Sequence, residues 1–346
     1  MIGQAEVLPA RRQVLFNPGP VNLDPAIKDN LFNVELCHRE PAFDELAVSL
    51  RRRLLAAVGF PPASFEVSLL HGSGTLAVDA ALASLVRGRV LVVHNGVYCQ
   101  RIVTTLSGFD VDVVEHRLGV GGPVRLDALA REVHRAAPDW VAVVHHETTT
   151  GLLNPLAGIA DVCTDGGARL FVDAVSSLGA HALDPRADVV CFNSSKCLES
   201  LPGIAGVLWR GDLRVHPSVP VLDVAAYARG MASTPNVQAY VALDIALDRL
   251  AAEDRPARYA RLARRVWATG GEHFELLLGE PHRSHVLTSF RLGGRTIDEL
   301  FDRAYARGMV IYPGQAELRH EIFRVANMGA LMSNDTIDEL FAVLAA

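Results

Sequence analysis

The sequence predicts an α/β fold whose main body is a doubly wound, mainly parallel sheet with a smaller α+β unit behind it. Two observations carry that prediction. From residue 66 onward, short apolar runs rich in β-branched residues alternate with helix-length amphipathic stretches, the texture of βαβ units with right-handed crossovers. After about residue 235 the alternation gives way to long arginine-faced helices and a few short strands, the pattern of a separate compact unit.

Each element has its own signal. "EVSLLH" reads as a strand, followed by the helix "GSGTLAVDAALASLVRG"; "RVLVVHNG" and "YCQRIVTTLSGF" repeat the pair. "VDVVEHR" with "LDALAREVHRAA", and "DWVAVVHH" with "PLAGIADVCTDGG", give two more. "ARLFVDAV", "ADVVCFNSSK" and "GIAGVLWR" supply further strands. Beyond them, "VQAYVALDIALDRLAAED" and "ARYARLARRVWATGGEHFELLL" predict long helices. "SHVLTSFRLGG", "MVIYPG" and "EIFRVANMG" read as strands, with "TIDELFDRAYARG" and "TIDELFAVLAA" as helices. The expected division is an N-terminal arm over 1–20, a large domain over 21–250 and a small domain over 251–346.

Composition narrows the classes. Half of the 346 residues are hydrophobic and the mean hydropathy is +0.21, enough for a substantial core. A net charge of −6 leaves no electrostatic footprint for nucleic acid. "RRR" at 51–53 falls in a helical pattern and reads as a solvated face. No apolar run approaches a bilayer span, and the opening "MIGQAEVLPARRQ" lacks a signal peptide's apolar segment. The five cysteines, Cys37, Cys99, Cys163, Cys191 and Cys197, are odd in number and lack metal spacing. A reduced, cytoplasmic protein without a metal is expected.

The chemistry begins with a lysine. The chain holds 33 Lys plus Arg, yet only Lys28 and Lys196 are lysines. Lys28 sits beside Asp29 on an expected exposed helix, where a solvated charge suffices. Lys196 follows the apolar run "VVCF", where a long cation is awkward, and only an amine forms an imine readily. Asp173 closes the strand "LFVD" at the carboxyl edge where open α/β sheets bind ligands. The spacing to Lys196 leaves room for one more strand, which sets carboxylate and amine on the same edge. Pyridoxal phosphate needs both groups: a lysine for its aldehyde and a carboxylate for its ring nitrogen.

Three loops add to that edge. In "HGSGT", the amides of Ser73, Gly74 and Thr75 open a helix and can hold a phosphate. The dinucleotide fingerprint competes there through Gly72, Gly74 and Ala77, but His94 and Asn95 stand where its ribose-binding acid belongs. Tyr98 in "NGVYCQR" can stack on a flat ring. "HHETTTGLLNP" offers hydroxyls at Thr148, Thr149 and Thr150 and a ring-edge contact from His145. Its His and Glu residues lack HExxH spacing, so metal is not favoured.

These residues together resemble the class V, fold-type I aminotransferases, from "NPGP" at 17–20 to "FRVANMG" at 323–329. "HHETTTGLLNPL", "VDAVSSLGA", "SSKCLESLPG" and "VIYPG" are most similar to the 2-aminoethylphosphonate–pyruvate transaminase branch. The resemblance implies a seven-stranded large-domain sheet, pyridoxal 5'-phosphate as cofactor and a homodimer. It makes Lys196 the cofactor-bearing lysine and Asp173 the ring-nitrogen partner. Ser73, Gly74 and Thr75 become the phosphate cup, and Tyr98 the stacking ring. Thr148 and Val175 would touch the cofactor ring, with Ser195 beside the phosphate. "STPN" implies that Ser233 reaches the phosphate site of the other subunit. Arg324 would hold the substrate's acid group, and Gly19 would contact the substrate.

One stretch departs from that branch: "ELCHREPAFDEL" is nearer the "SHR" segment of alanine–glyoxylate and phosphoserine aminotransferases. The implied reaction moves an amino group from a small acidic amine, 2-aminoethylphosphonate first, to pyruvate or a similar oxo acid. Alanine-, serine- or phosphoserine-type donors are the alternative. Elimination or carbon–sulfur cleavage, as in the desulfurase branch, is a further reading; a desulfurase needs a mobile nucleophilic cysteine, and Cys197, next to Lys196, is expected to face away. A non-catalytic binding protein on the same fold would have no reason to retain both Lys196 and Asp173.

Overall fold

The computed structural model describes residues 13–31, 33–216, 219–230 and 233–346. Residues 1–12, with much of the expected arm and the segment read for a signal peptide, lie outside the described residues. Seven strands form the main sheet: β1 (Phe65–Gly72), β2 (Gly88–His94), β3 (Val111–Arg117), β4 (Trp140–Val144), β5 (Arg169–Asp173), β6 (Val189–Asn193) and β7 (Gly203–Arg210). Their order is β1-β7-β6-β5-β4-β2-β3. All pairs are parallel except those of β7, which runs antiparallel to both β1 and β6. The link from Asn193 to Gly203 is too short for a crossover helix, so the chain must turn straight back. That short link carries Lys196.

Period-two alternation divides the sheet's side chains between two cores. Val141, Val143, Leu170 and Val172 face one, while Trp140, Ala142, Val144 and Phe171 face the other. The first core is covered by α1 (Pro41–Val58), α4 (Leu126–Ala136), α5 (Leu156–Gly166) and α6 (Val237–Ala252). The second is covered by α2 (Gly74–Leu85) and α3 (Val97–Leu106). Burial on both faces explains why β4 and β6 are continuous apolar runs. The "RRR" reading holds only for Arg52, which is exposed. Arg51 donates to the Tyr227 carbonyl and Arg53 pairs with Asp244 and Asp248, fastening α1 to its neighbours.

The C-terminal unit contains α7 (Arg255–Gly271), α8 (Ile297–Ala306), α9 (Asn334–Ala345) and a sheet ordered β8-β10-β9. Its strands are β8 (Leu287–Arg291), β9 (Tyr312–Pro313) and β10 (Ile322–Ala326). Phe274, Phe290, Phe323 and Phe341 form its core, joined by Phe16 from the N-terminal chain. Val14–Leu15 pairs in parallel with Met309–Val310, so the chain entering the fold is tied to this unit. The helix expected to run through "EHFELLL" stops at Gly271, where two successive glycines remove helix support. No described helix is long and apolar enough to cross a membrane.

Candidate active site

The site assembles from loops at the carboxyl edge of the main sheet. β5 and β6 are adjacent and parallel, with Asp173 beside Cys191 in register. Asp173 therefore ends one strand while Lys196 follows the end of the next. The turn that presents the lysine is tightened by Asn193, whose Oδ1 accepts from Ser195 N at 2.8 Å and from Ser195 Oγ at 2.6 Å. Lys196 Nζ donates to the Pro18 carbonyl, bringing "NPGP" onto the lysine. Only glycine fits at position 19. Its φ is +105°, and an added Cβ would lie 2.6 Å from Lys196 Cδ.

A cavity of about 330 Å³ opens here, lined by Gly19, Ser73, Gly74, Thr75, Tyr98, Asp173, Val175, Ser195 and Lys196. Thr148 borders an adjoining hollow of about 40 Å³, shared with Tyr98, Asp173, Val175 and Lys196. Ser73 caps α2 with no side-chain hydrogen bond to the helix; Leu76 N donates to the Ser73 carbonyl at 2.9 Å, which leaves the amides of Gly74 and Thr75 at the open helix end. A Cβ on Gly74 would fall 2.6 Å from Val175 Cγ1, so the cup and the ring-side valine can pack only around glycine. Ser233 does not line the cavity. It is exposed, with Oγ 3.1 Å from His71 Nδ1.

Arg324 is 2 % exposed, which removes the alternative of a surface arginine. Strand alternation sends Phe323 and Val325 into the C-terminal core, while the guanidinium reaches the main-sheet loops. Nη1 donates to the Thr148 carbonyl at 2.9 Å.

The electrostatics follow from burial. Desolvation lowers the Lys196 pKa; Arg324 lowers it further, against Cys197 and Asp173, which raise it. Desolvation pushes Asp173 up to about 6, with Glu147 adding to the rise, while the Val175 amide, Arg101 and Lys196 pull the other way. Cys197 is buried and pushed up to about 12, chiefly by desolvation, with Sγ against the Ser176 carbonyl. It is neither mobile nor a thiolate.

Several residues were not anticipated. Arg101, one turn after Tyr98 on α3, lines the cavity, donates to Thr75 Oγ1 at 2.6 Å and lies 5.7 Å over the Tyr98 ring. The expected ring-edge histidine is corrected: His146 borders the smaller hollow, whereas His145 turns away to Ser177 Oγ at 3.0 Å. Glu147 is fully buried. It accepts from Thr149 N, Thr149 Oγ1 and Tyr98 N, joining the threonine loop to α3. Among the described residues no cluster of three or more His, Cys, Asp or Glu is placed to hold a metal.

The aminotransferase class-V family model matches residues 66–254. A 2-aminoethylphosphonate–pyruvate transaminase of Paraburkholderia phymatum is 34% identical, covering 97% of this chain and 97% of that protein. One from Bacillus cytotoxicus is 28% identical over 93% of this chain and 94% of its own. Among solved structures, alanine–glyoxylate aminotransferase from Nostoc sp. superposes with a TM-score of 0.89 at 25% identity, covering 99% and 97% of the two chains. With lysine, aspartate and glycine-rich cup converging on one sheet edge, the chain belongs to the class-V aminotransferases.

Proposed function

We propose that this aminotransferase moves the amino group of a small acidic amine, 2-aminoethylphosphonate first, to pyruvate, using pyridoxal 5'-phosphate. The observation that carries the reading is the buried arginine, Arg324, beside the cavity that holds Lys196 and Asp173. The site's residues suit the cofactor: an open helix N-terminus at Ser73–Thr75 with Arg101 beside it for the phosphate, and Asp173 as a counter-charge for the ring nitrogen. When bound, the cofactor supplies an electron sink conjugated to the donor's amine-bearing carbon.

The chain's own residues supply the rest. Lys196, whose pKa burial lowers, would supply the amine that holds the cofactor's aldehyde. Lys196 Nζ, at the same sheet edge as Asp173, would be the group that takes and returns the proton at the donor's amine-bearing carbon. Tyr98 and Val175 would hold the ring between them, and Arg324 would orient the acid group. The relatives' names favour phosphonate and pyruvate. "CHREPAF" and the alanine–glyoxylate neighbour favour an amino-acid donor, and a donor panel separates the two.

Arg324→Lys is expected to keep the cofactor and lose about 1.5–3 kcal/mol of affinity for acidic donor and acceptor. Half-saturation for a phosphonate donor in both forms checks it; unchanged values would remove Arg324 from the substrate site. The active form is expected to be a homodimer in which Ser233 serves the partner's phosphate cup. Light scattering of working enzyme tests this, and an active monomer would contradict it.

A further inference from the structure

Three of the five N–H donors of Arg324 are spent on protein oxygens. Nε donates to the Pro313 carbonyl at 2.8 Å, and Nη1 to the Thr148 carbonyl and to Gln315 Oε1, at 2.9 and 3.1 Å. A guanidinium carries five N–H groups, so the two that remain are both on Nη2, which makes no hydrogen bond among the described residues. An acid group arriving now would meet one nitrogen only. A two-nitrogen grip needs a second tine, and each is occupied by a protein oxygen.

Two of those oxygens are backbone. Pro313 belongs to β9, and Thr148 follows a two-residue strand (His146–Glu147) that is fully buried. Neither can withdraw without moving its strand. Gln315 is different, because its contact is made by a half-buried side chain, which can change rotamer without moving a strand. We propose that Gln315 determines acid specificity: its amide oxygen holds the place of a substrate oxygen on Arg324 Nη1 and is exchanged for it. The inference rests on Arg324 being the acid-binding group proposed above.

The exchange discriminates by charge. A carboxylate or phosphonate oxygen bonds a guanidinium more strongly than a neutral amide oxygen does, so an acid displaces Gln315. A neutral substrate does not, and Arg324 then keeps its internal partner.

The test is calorimetric titration of the holoenzyme with ethylphosphonate, an acid that cannot transaminate, in wild type, Gln315→Glu and Gln315→Ala. Gln315→Glu fills the position with a competing carboxylate, and binding is expected to weaken at least tenfold. Gln315→Ala leaves nothing to displace, so binding is expected within threefold of wild type or tighter. Binding to Gln315→Glu weakened less than tenfold, binding to Gln315→Ala weakened beyond threefold, or no binding to wild type would overturn the proposal. Should the glutamate variant lose its native near-ultraviolet circular dichroism, Gln315→Ala decides alone. If the expected pattern holds but no acidic amine is transaminated, the functional reading fails and Gln315 stands. Transamination of acidic amines without the pattern overturns only Gln315.

Discussion

Lys196→Arg is expected to lose the cofactor's lysine-dependent visible band and to lower turnover by at least about a thousandfold. The substitution keeps the positive charge, and its guanidinium can still meet the Pro18 carbonyl that Lys196 Nζ meets now. It cannot supply a neutral nucleophile, because a guanidinium does not deprotonate in a protein. Lys196 is suited to do so: burial lowers its pKa, and Arg324 lowers it further. Borohydride reduction separates this chemistry from mere loss of fold. In the wild type it should fix the cofactor's mass on the peptide that contains Lys196. In a folded variant no peptide should carry it. Turnover near the wild-type rate would remove Lys196 from the mechanism.

Asp173→Asn is expected to bind cofactor and to slow proton transfer at the donor carbon by at least about a hundredfold. The amide keeps the shape and an oxygen for the Val175 amide, at 2.9 Å from Asp173 Oδ1, but loses the charge that holds a ring nitrogen protonated. Single-turnover rates with a donor amine measure the step directly, and a near-normal rate would reduce Asp173 to a turn-capping residue. A second consequence concerns the cofactor-free protein. Burial lifts the folded-state pKa from 3.8 to about 6, so the folded form holds the proton more tightly than the unfolded chain. The stability Asp173 confers is complete below about pH 4 and is lost as pH rises through about 6. At neutral pH the ionised carboxylate therefore costs the empty protein about 1–3 kcal/mol. Asp173→Asn should raise the apoprotein's Tm at pH 7.5, with the gain shrinking towards pH 4. The cofactor's cationic ring should narrow the gain by restoring a partner to the carboxylate.

The main sheet and the meeting of Asp173 with Lys196 were legible because each strand carries its own apolar signal and β5 and β6, successive in the chain, are also neighbours in the sheet. β7's direction was legible in principle from the short link before it, though β-rich texture alone does not state direction. Arg101 was hidden among many arginines; only the packing of α3 against the cup brings it to Thr75 Oγ1. The histidine pair shows a parity problem. β4 ends at Val144 and a new strand begins at His146, so a shift of one residue decides which ring faces the hollow. Gln315 carried no sequence signal, since its contact depends on how the chain folds back after β9. Arg324 needed the family likeness to raise it above a surface arginine, and burial beside Thr148 is consistent with that choice.

The most direct test of the account is a single-turnover donor panel on the purified holoenzyme. 2-Aminoethylphosphonate, alanine, serine, phosphoserine and the acid-free 2-aminoethanol are compared by loss of the visible band and by the carbonyl compound released, in wild type and Arg324→Lys. The account predicts fastest reaction with 2-aminoethylphosphonate, release of the matching phosphonoaldehyde, recovery of the band with pyruvate, and a specific loss of acidic donors in the variant. Preference for a neutral, acid-free amine, unaffected by Arg324→Lys, would contradict it.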